Sequence, residues 1–248
     1  LLAEPPIFVV ADGMGGHEAG EIASGLLIES LTETARESGL AVTFEDVRAA
    51  IRSAHNRIRR EGSSLPRGRE MGTTLVVAAL LADVAGPRWL LASVGDSRIY
   101  RVAGGATEQM TDDHSVVQEL LDSGEISLAE AAVHPDRHVI TRAIGIGRDL
   151  LVDYQVHPVR EGDRLVLCSD GVHGALSDAQ FASLAAAFPG EPQTAATGLA
   201  EAVLASPASD NLTVVVVDAC AVESAFELDQ AAIQDTTPRP RTDAPADH

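Results

Sequence analysis

Three aspartates stand at the tips of apolar, strand-like runs. Ile7-Phe8-Val9-Val10-Ala11 ends in Asp12-Gly13-Met14-Gly15-Gly16-His17, Leu165-Val166-Leu167-Cys168-Ser169 ends in Asp170-Gly171, and Asp210-Asn211 directly precedes Leu212-Thr213-Val214-Val215-Val216-Val217. A short buried strand that delivers a carboxylate to its tip, followed by glycines that let the backbone come close, suits a hard cation. One isolated Asp-Gly is ordinarily a turn or a cap. Three in equivalent settings point instead to one shared acidic site. Oxygen-only donors favour Mg²⁺ or Mn²⁺ over zinc, which recruits His or Cys. Two such ions bridged by carboxylates lower the pKa of a bound water and clamp a phosphoryl or carbonyl group, an arrangement for hydrolysis.

Such a site needs strands whose ends meet and helices that cover them. Ile22, Leu26, Leu27, Leu31 and Ala35 recur at helical spacing over residues 20–38, with Gly39 as a stop. Thr43-Phe44-Glu45-Asp46 resembles a capping box ahead of Val47, Ile51, Ala54 and Ile58, which predicts a second helix ending at Gly62. From Thr73 the pattern becomes short β-rich runs at 74–81, 89–94, 98–102 and 108–111, separated by turn residues. No helices intervene, so antiparallel hairpins are expected rather than a doubly wound parallel sheet. Residues 114–123 read as a helix, and a polar stretch through Arg148 reads as a loop or small subdomain. Strands follow at 154–159 and 164–169, helices at 177–188 and 194–205, and a last core strand at 212–218. This predicts a layered α+β domain over residues 1–222, with helices outside packed sheets. From Glu223 the chain turns polar and Pro-containing, and 223–248 is expected to be a disordered tail.

Composition narrows the function classes. A formal net charge of −19 over 248 residues argues against nucleic acid, which is bound through clustered Lys and Arg. The nearest cluster, Arg57, Arg59, Arg60, Arg67 and Arg69, reads as a solvated helix end and loop. No apolar run approaches the roughly 18 residues of a membrane span, so a soluble, cytoplasmic protein is expected. Cys168 and Cys220 are too few for a zinc cluster and read as reduced core residues.

Six motifs occur in order: Asp12-Gly13-Met14-Gly15-Gly16-His17, Met71-Gly72-Thr73-Thr74, Val94-Gly95-Asp96-Ser97-Arg98, Thr111-Asp112-Asp113-His114-Ser115, Ser169-Asp170-Gly171 and Ser209-Asp210-Asn211-Leu212-Thr213. Over about residues 7 to 218 the chain resembles the metal-dependent Ser/Thr protein phosphatases, in their bacterial type 2C branch. The resemblance implies a layered α-β-β-α fold, a central antiparallel β-sandwich flanked by helix pairs. It implies that Asp12 bridges two Mn²⁺ or Mg²⁺ ions, that the Gly13 carbonyl ligates one of them, and that Asp170 and Asp210 complete the opposite side. Asp113 matches the position that helps hold a weaker third ion. The implied reaction is direct attack of a metal-activated water on phosphoserine or phosphothreonine in proteins, with no phospho-enzyme, in opposition to Ser/Thr kinases. Residues 122–148 resemble the flap beside the active site and are the candidate for substrate contact and gating.

Other residues take plainer readings. Asp96 is expected to be a turn residue of a hairpin, His17 to orient its loop or contact a ligand carboxylate, and His173 to be exposed on a loop. The spacing Gly13-Met14-Gly15-Gly16 departs from Gly-x-Gly-x-x-Gly, which argues against a dinucleotide fold. The family also carries an Arg and then Asn-Glu/Gln-Asp upstream of the first strand, to clamp phosphate and complete the metal shell. Leu1 to Pro6 holds neither, and the sequence starts without Met. A truncated chain is therefore expected, with weak metal affinity, reduced turnover and a missing edge strand. The competing reading is a catalytically silent phosphatase-like domain that binds phosphorylated or regulatory partners. Retention of Asp12, Asp113, Asp170 and Asp210 favours the enzyme.

Overall fold

The computed structural model describes residues 1–64, 70–81, 86–207 and 210–220. In chain order the elements are β1 (Leu2–Glu4), β2 (Ile7–Val10), β3 (Gly13–Met14), α1 (His17–Ser38), α2 (Phe44–Gly62), β4 (Gly72–Thr73), β5 (Leu75–Leu81), β6 (Arg88–Val94), β7 (Arg98–Ala103) and β8 (Ala106–Gln109). There follow α3 (Val116–Asp122), α4 (Leu128–Ala131), β9 (Asp153–Pro158), β10 (Arg164–Cys168), α5 (Asp170–His173), α6 (Asp178–Ala185), α7 (Pro192–Leu204) and β11 (Val214–Asp218). One sheet has the order β1-β2-β5-β6-β9, a second β11-β10-β7-β8, and β3 pairs with β4 in a short ladder. Every pairing is antiparallel.

Alternation along the strands builds three cores. In β2, Ile7 and Val9 face α1 and α2, while Phe8 and Val10 face the second sheet. That is why this strand is apolar without interruption: both of its faces are buried. In β10, Leu165 and Leu167 join Phe8 and Val10 between the sheets, and Val166 and Cys168 turn to α6 and α7. The layers are therefore helix, sheet, sheet, helix, as expected from the sequence. Phe8 and Trp89 meet edge to face between the sheets, with centroids 6.2 Å apart.

The helix ends follow local chemistry. Thr43 accepts the Asp46 N–H and Asp46 accepts the Thr43 N–H, closing the expected capping box of α2, a device worth about 1 kcal/mol. Ser127 with Glu130 and Ser177 with Gln180 do the same for α4 and α6. At the end of the sandwich away from the aspartates, Arg164 bonds both carboxylate oxygens of Asp218 and the carbonyls of Ala185, Ala187 and Phe188. It ties β10 and β11 to α6.

Several expectations change. The edge beside β2 is covered after all, because Leu2–Glu4 folds back on it as β1, Leu2 opposite Val9. Pro5-Pro6 makes the corner, with a cis bond between them. Helix α1 begins at His17 rather than residue 20, and α5 and α4 are additional short helices. Cys168 is buried as expected, but Cys220 is exposed, because it lies beyond β11 where the chain leaves the sheet. The expected tail and Arg67 and Arg69 lie outside the described residues. Among the described residues, no helix is long and apolar enough to cross a membrane.

Candidate metal centre

Asp12 lies two residues beyond β2, and continuing that strand's alternation from Phe8 and Val10 puts it on the side facing the second sheet. Its backbone is held on both sides by the Met71-Gly72-Thr73-Thr74 segment. The Asp12 carbonyl accepts the Thr74 N–H at 2.8 Å and the Thr73 hydroxyl at 2.9 Å, and the Asp12 N–H donates to Thr74 Oγ1 at 3.0 Å. Thr74 Oγ1 in turn meets Ser97 Oγ at 2.8 Å. Two motifs that look chemical in the sequence are thus the scaffold of the first aspartate. Gly13 pairs with Thr73, and a Cβ on Gly13 would come within 2.0 Å of the Gly20 carbonyl oxygen. Glycine there lets the first turn of α1 close over the loop.

Asp170 and Asp210 come from neighbouring strands running in opposite directions, so the end of β10 and the start of β11 coincide. Ser169 N–H donates to the Thr213 carbonyl at 3.0 Å, and the Thr213 N–H donates to Ser169 Oγ at 3.1 Å, locking this edge. Gly171 is required by close approach: a Cβ there would stand 2.1 Å from the Asn211 carbonyl oxygen. Asp170 opens α5, and Asp210 Oδ1 accepts the Asn211 N–H at 2.8 Å.

The three carboxyls share one electrostatic field. Asp12 is pushed up to about 6, first by burial and then by the charges of Asp170 and Asp210. Among the described residues, no three metal-ligating side chains enclose a cage as they stand. The charges of Asp170 and Asp210 nevertheless reach Asp12, which places the three carboxyls near one another, with Asp210 turned toward the Asn211 N–H. Carboxyls crowded so that the charges of Asp170 and Asp210 raise the pKa of Asp12 form a donor set short of positive charge. Oxygen donors of this kind fit Mn²⁺ or Mg²⁺. A cavity of about 320 Å³ opens on Asp12 and Gly13, and Glu21, Ser24 and Asn211 also line it. Glu21 and Ser24 were invisible as site residues in the sequence, where they are polar positions on an amphipathic helix.

Asp113, expected beside these residues, is gripped by Arg98 and is mostly buried. Its Oδ1 accepts Arg98 Nε at 2.8 Å and Gln109 Nε2 at 3.3 Å, while among the described residues Oδ2 accepts only Arg98 Nη2 at 2.7 Å. Asp96 does lie in the bend between β6 and β7, as expected of a turn residue. It also belongs to the acidic cluster, being pushed up to about 7 by burial and then by Asp170, Asp113 and Asp12. His173 is not an exposed loop residue: it ends α5, is half-buried, and its Nε2 meets the Asp96 carbonyl at 3.0 Å. The side chain of His17 lies outside what the structure describes. Cys168, next to this edge, is buried and pushed up to about 12 by that burial, so it supplies no thiolate nucleophile. In the expected flap, Ile144 pairs with Thr73, which places this segment one strand away from Gly13.

The four layers and the acidic strand ends define the class: a metal-dependent phosphatase fold. The chain matches the family model described as Protein phosphatase 2C over residues 2–205. It is 37% identical over 180 residues to the serine/threonine phosphatase Stp of Listeria innocua, covering 71% of this chain and 70% of that protein. It is 37% identical over 212 residues to the serine/threonine protein phosphatase PstP of Mycobacterium tuberculosis, covering 86% of this chain and 40% of that relative. The crystal structure of Mycobacterium tuberculosis PstP superposes with a TM-score of 0.79 at 34% identity, covering 89% of this chain and 91% of that one. The PstP catalytic domain solved with two manganese ions gives 0.78 at 32% identity, covering 89% and 90%. The chain belongs to the protein phosphatase 2C family.

Proposed function

We propose that this chain hydrolyses phosphoserine and phosphothreonine in proteins, opposing Ser/Thr kinases in the cytoplasm. The observation that carries this reading is the placement of Asp12 after β2 and of Asp170 and Asp210 at the paired ends of β10 and β11, at one end of the sandwich and near enough for their charges to raise the Asp12 pKa. Asp12 and the Gly13 carbonyl would hold two Mn²⁺ or Mg²⁺ ions, with Asp170 and Asp210 on the opposite side. When bound, the ions supply Lewis-acid activation of water and offset charge on the phosphoryl group. The chain's own residues fix the donors: Thr73 and Thr74 hold the Asp12 backbone, and the contact of Gly171 with Asn211 sets the spacing of Asp170 and Asp210.

Asp113 is the candidate for a third, weaker site. Its Oδ1 is already doubly used, so Oδ2 is the oxygen with a free lone pair to offer. The flap, residues 122–148, is the candidate for substrate contact, supported by the ladder from Gly13 through Thr73 to Ile144. A silent binding domain would have no chemical use for a repulsive acidic cluster. Phosphate release from phosphothreonine and phosphotyrosine peptides, with Mn²⁺ and with Mg²⁺, tests the proposal. Metal-dependent release from the phosphothreonine peptide is expected. Its absence from both this chain and one extended at the N-terminus would leave the silent domain as the better reading.

A further inference from the structure

A second cleft, of about 860 Å³ against about 320 Å³ at Asp12, lies between α2 and residues 142–154. That size suits a small ligand or a peptide side chain. Its walls carry Arg48, Arg52, Arg142 and Arg148, in a chain whose net charge is −19. The carboxylates of Asp149 and Asp153 also line it, but Asp153 is already engaged by Arg142 Nη1 at 3.2 Å and His114 Nε2 at 3.0 Å. Arg48 is held by Glu45 at 2.7 Å. Arg52 and Arg148 make no ion pair or hydrogen bond among the described residues. Arg48, Arg52 and Asn56 share one helical face, and further cavities continue along this face to Arg59.

The floor holds an independent sign. His55 is buried, at 2% exposure, and lines the cleft. Its Nδ1 accepts the Gly145 N–H at 3.0 Å, which puts the proton of the neutral ring on Nε2. That Nε2 is buried and has no hydrogen-bond partner among the described residues. A buried donor without an acceptor costs free energy, and an oxyanion drawn in by the arginines would supply the missing acceptor. Guanidinium groups meet phosphoryl oxygens in a paired, planar fashion that Lys does not reproduce.

We propose that the cleft between α2 and residues 142–154 is an accessory oxyanion site that takes a phosphoryl group through Arg52, Arg148 and the His55 Nε2–H. It lies apart from the acidic cluster yet is joined to it. Gly145, bonded to His55, follows Ile144, and Ile144, Thr73 and Gly13 lie side by side, spanning about 10 Å at the usual strand spacing. A phosphoryl group bound here would steady the base of the flap. The site deepens the phosphatase reading only in substrate choice, where it rests on that reading and favours segments with a second phosphate.

The test is binding without turnover. The full chain in EDTA is titrated with inorganic phosphate and with a doubly phosphorylated peptide at constant ionic strength, followed by calorimetry and the Gly145 amide resonance. Saturable binding with a Gly145 shift is expected, weakened at least tenfold in Arg52→Gln/Arg148→Gln and unchanged in Asp210→Asn. Both arginines are exposed, and an unaltered thermal melt confirms that the double variant folds. Tighter binding of the peptide assigns the phosphoryl group to a protein, and equal binding assigns it to free phosphate. No saturable binding of either probe, or binding indifferent to the double variant, overturns the proposal. Because metal is absent, the outcome is independent of whether the chain is an active phosphatase.

Discussion

Arg98 closes a two-pronged fork on Asp113, Nε to Oδ1 at 2.8 Å and Nη2 to Oδ2 at 2.7 Å. The pair joins β7 to the segment that leads into α3, and Arg98 also donates to the Tyr100 hydroxyl at 3.0 Å. The fork leaves Asp113 one free lone pair on Oδ2 and makes its carboxylate a structural anchor as much as a potential ligand.

Arg98→Gln is therefore expected to cost stability, because it strands a mostly buried carboxylate. The loss should be about 2–3 kcal/mol, between a charged hydrogen bond and a fully buried ion pair. Urea unfolding measures it. A midpoint equal to that of the parent chain would show that the fork contributes nothing.

Gly171→Ala should be worse than an ordinary helix substitution. Alanine is normally the better helix former, by about 1 kcal/mol. Here its Cβ would stand 2.1 Å from the Asn211 carbonyl oxygen, so α5 and the segment holding Asp210 and Asn211 must move apart. The expected result is destabilisation of about 1–3 kcal/mol together with a weaker response to Mn²⁺. Unchanged melting and unchanged Mn²⁺ dependence would contradict this account of the glycine.

His55 sets a pH dependence. Burial, then the charge of Arg59, lowers its pKa, so the unfolded chain binds the proton more readily. Stability contributed by the neutral ring is present above the unfolded value of about 6.5 and is lost as pH falls from there toward the lower folded value. The slope from this residue is at most about 1.4 kcal/mol per pH unit. Urea unfolding at pH 7 and pH 5 should show that the drop is smaller in His55→Gln. An equal drop in both would remove His55 as the cause.

Metal should stabilise the folded chain, since the proposed donors come from two sheets and converge only in the native state. Saturating Mn²⁺, at about 100 times its dissociation constant, should add about 2.7 kcal/mol. Thermal melts with Mn²⁺ and with EDTA measure the difference, which should vanish in Asp12→Asn. A persistent Mn²⁺ effect in that variant would place the ion elsewhere.

What the sequence revealed was whatever has a long period or a buried strand. The apolar run of β2 and the run of β10 showed their ends because each strand is buried on two faces, and α2 announced itself through Thr43 and Asp46. The two-residue ladder of β3 and β4 and the single turn of α5 are too short to leave a periodic trace. His173 misled, and the nearness of Asp96 to the acidic cluster went unseen, for a related reason. Turn chemistry is local, whereas their placement beside Asp170 depends on how β6, β7 and β10 assemble. Glu21 likewise enters the site only because Gly13 and Gly20 let α1 close in.

The most direct test is Mn²⁺-dependent phosphate release from a phosphothreonine peptide by the parent chain and by Asp210→Asn. Asparagine keeps the oxygen that accepts the Asn211 N–H, so the fold should be retained while the ligand charge is lost. The account predicts release that needs Mn²⁺ in the parent and falls by at least about a hundredfold in the variant, at an unchanged melting temperature. Parent-like, Mn²⁺-dependent release by Asp210→Asn would contradict it.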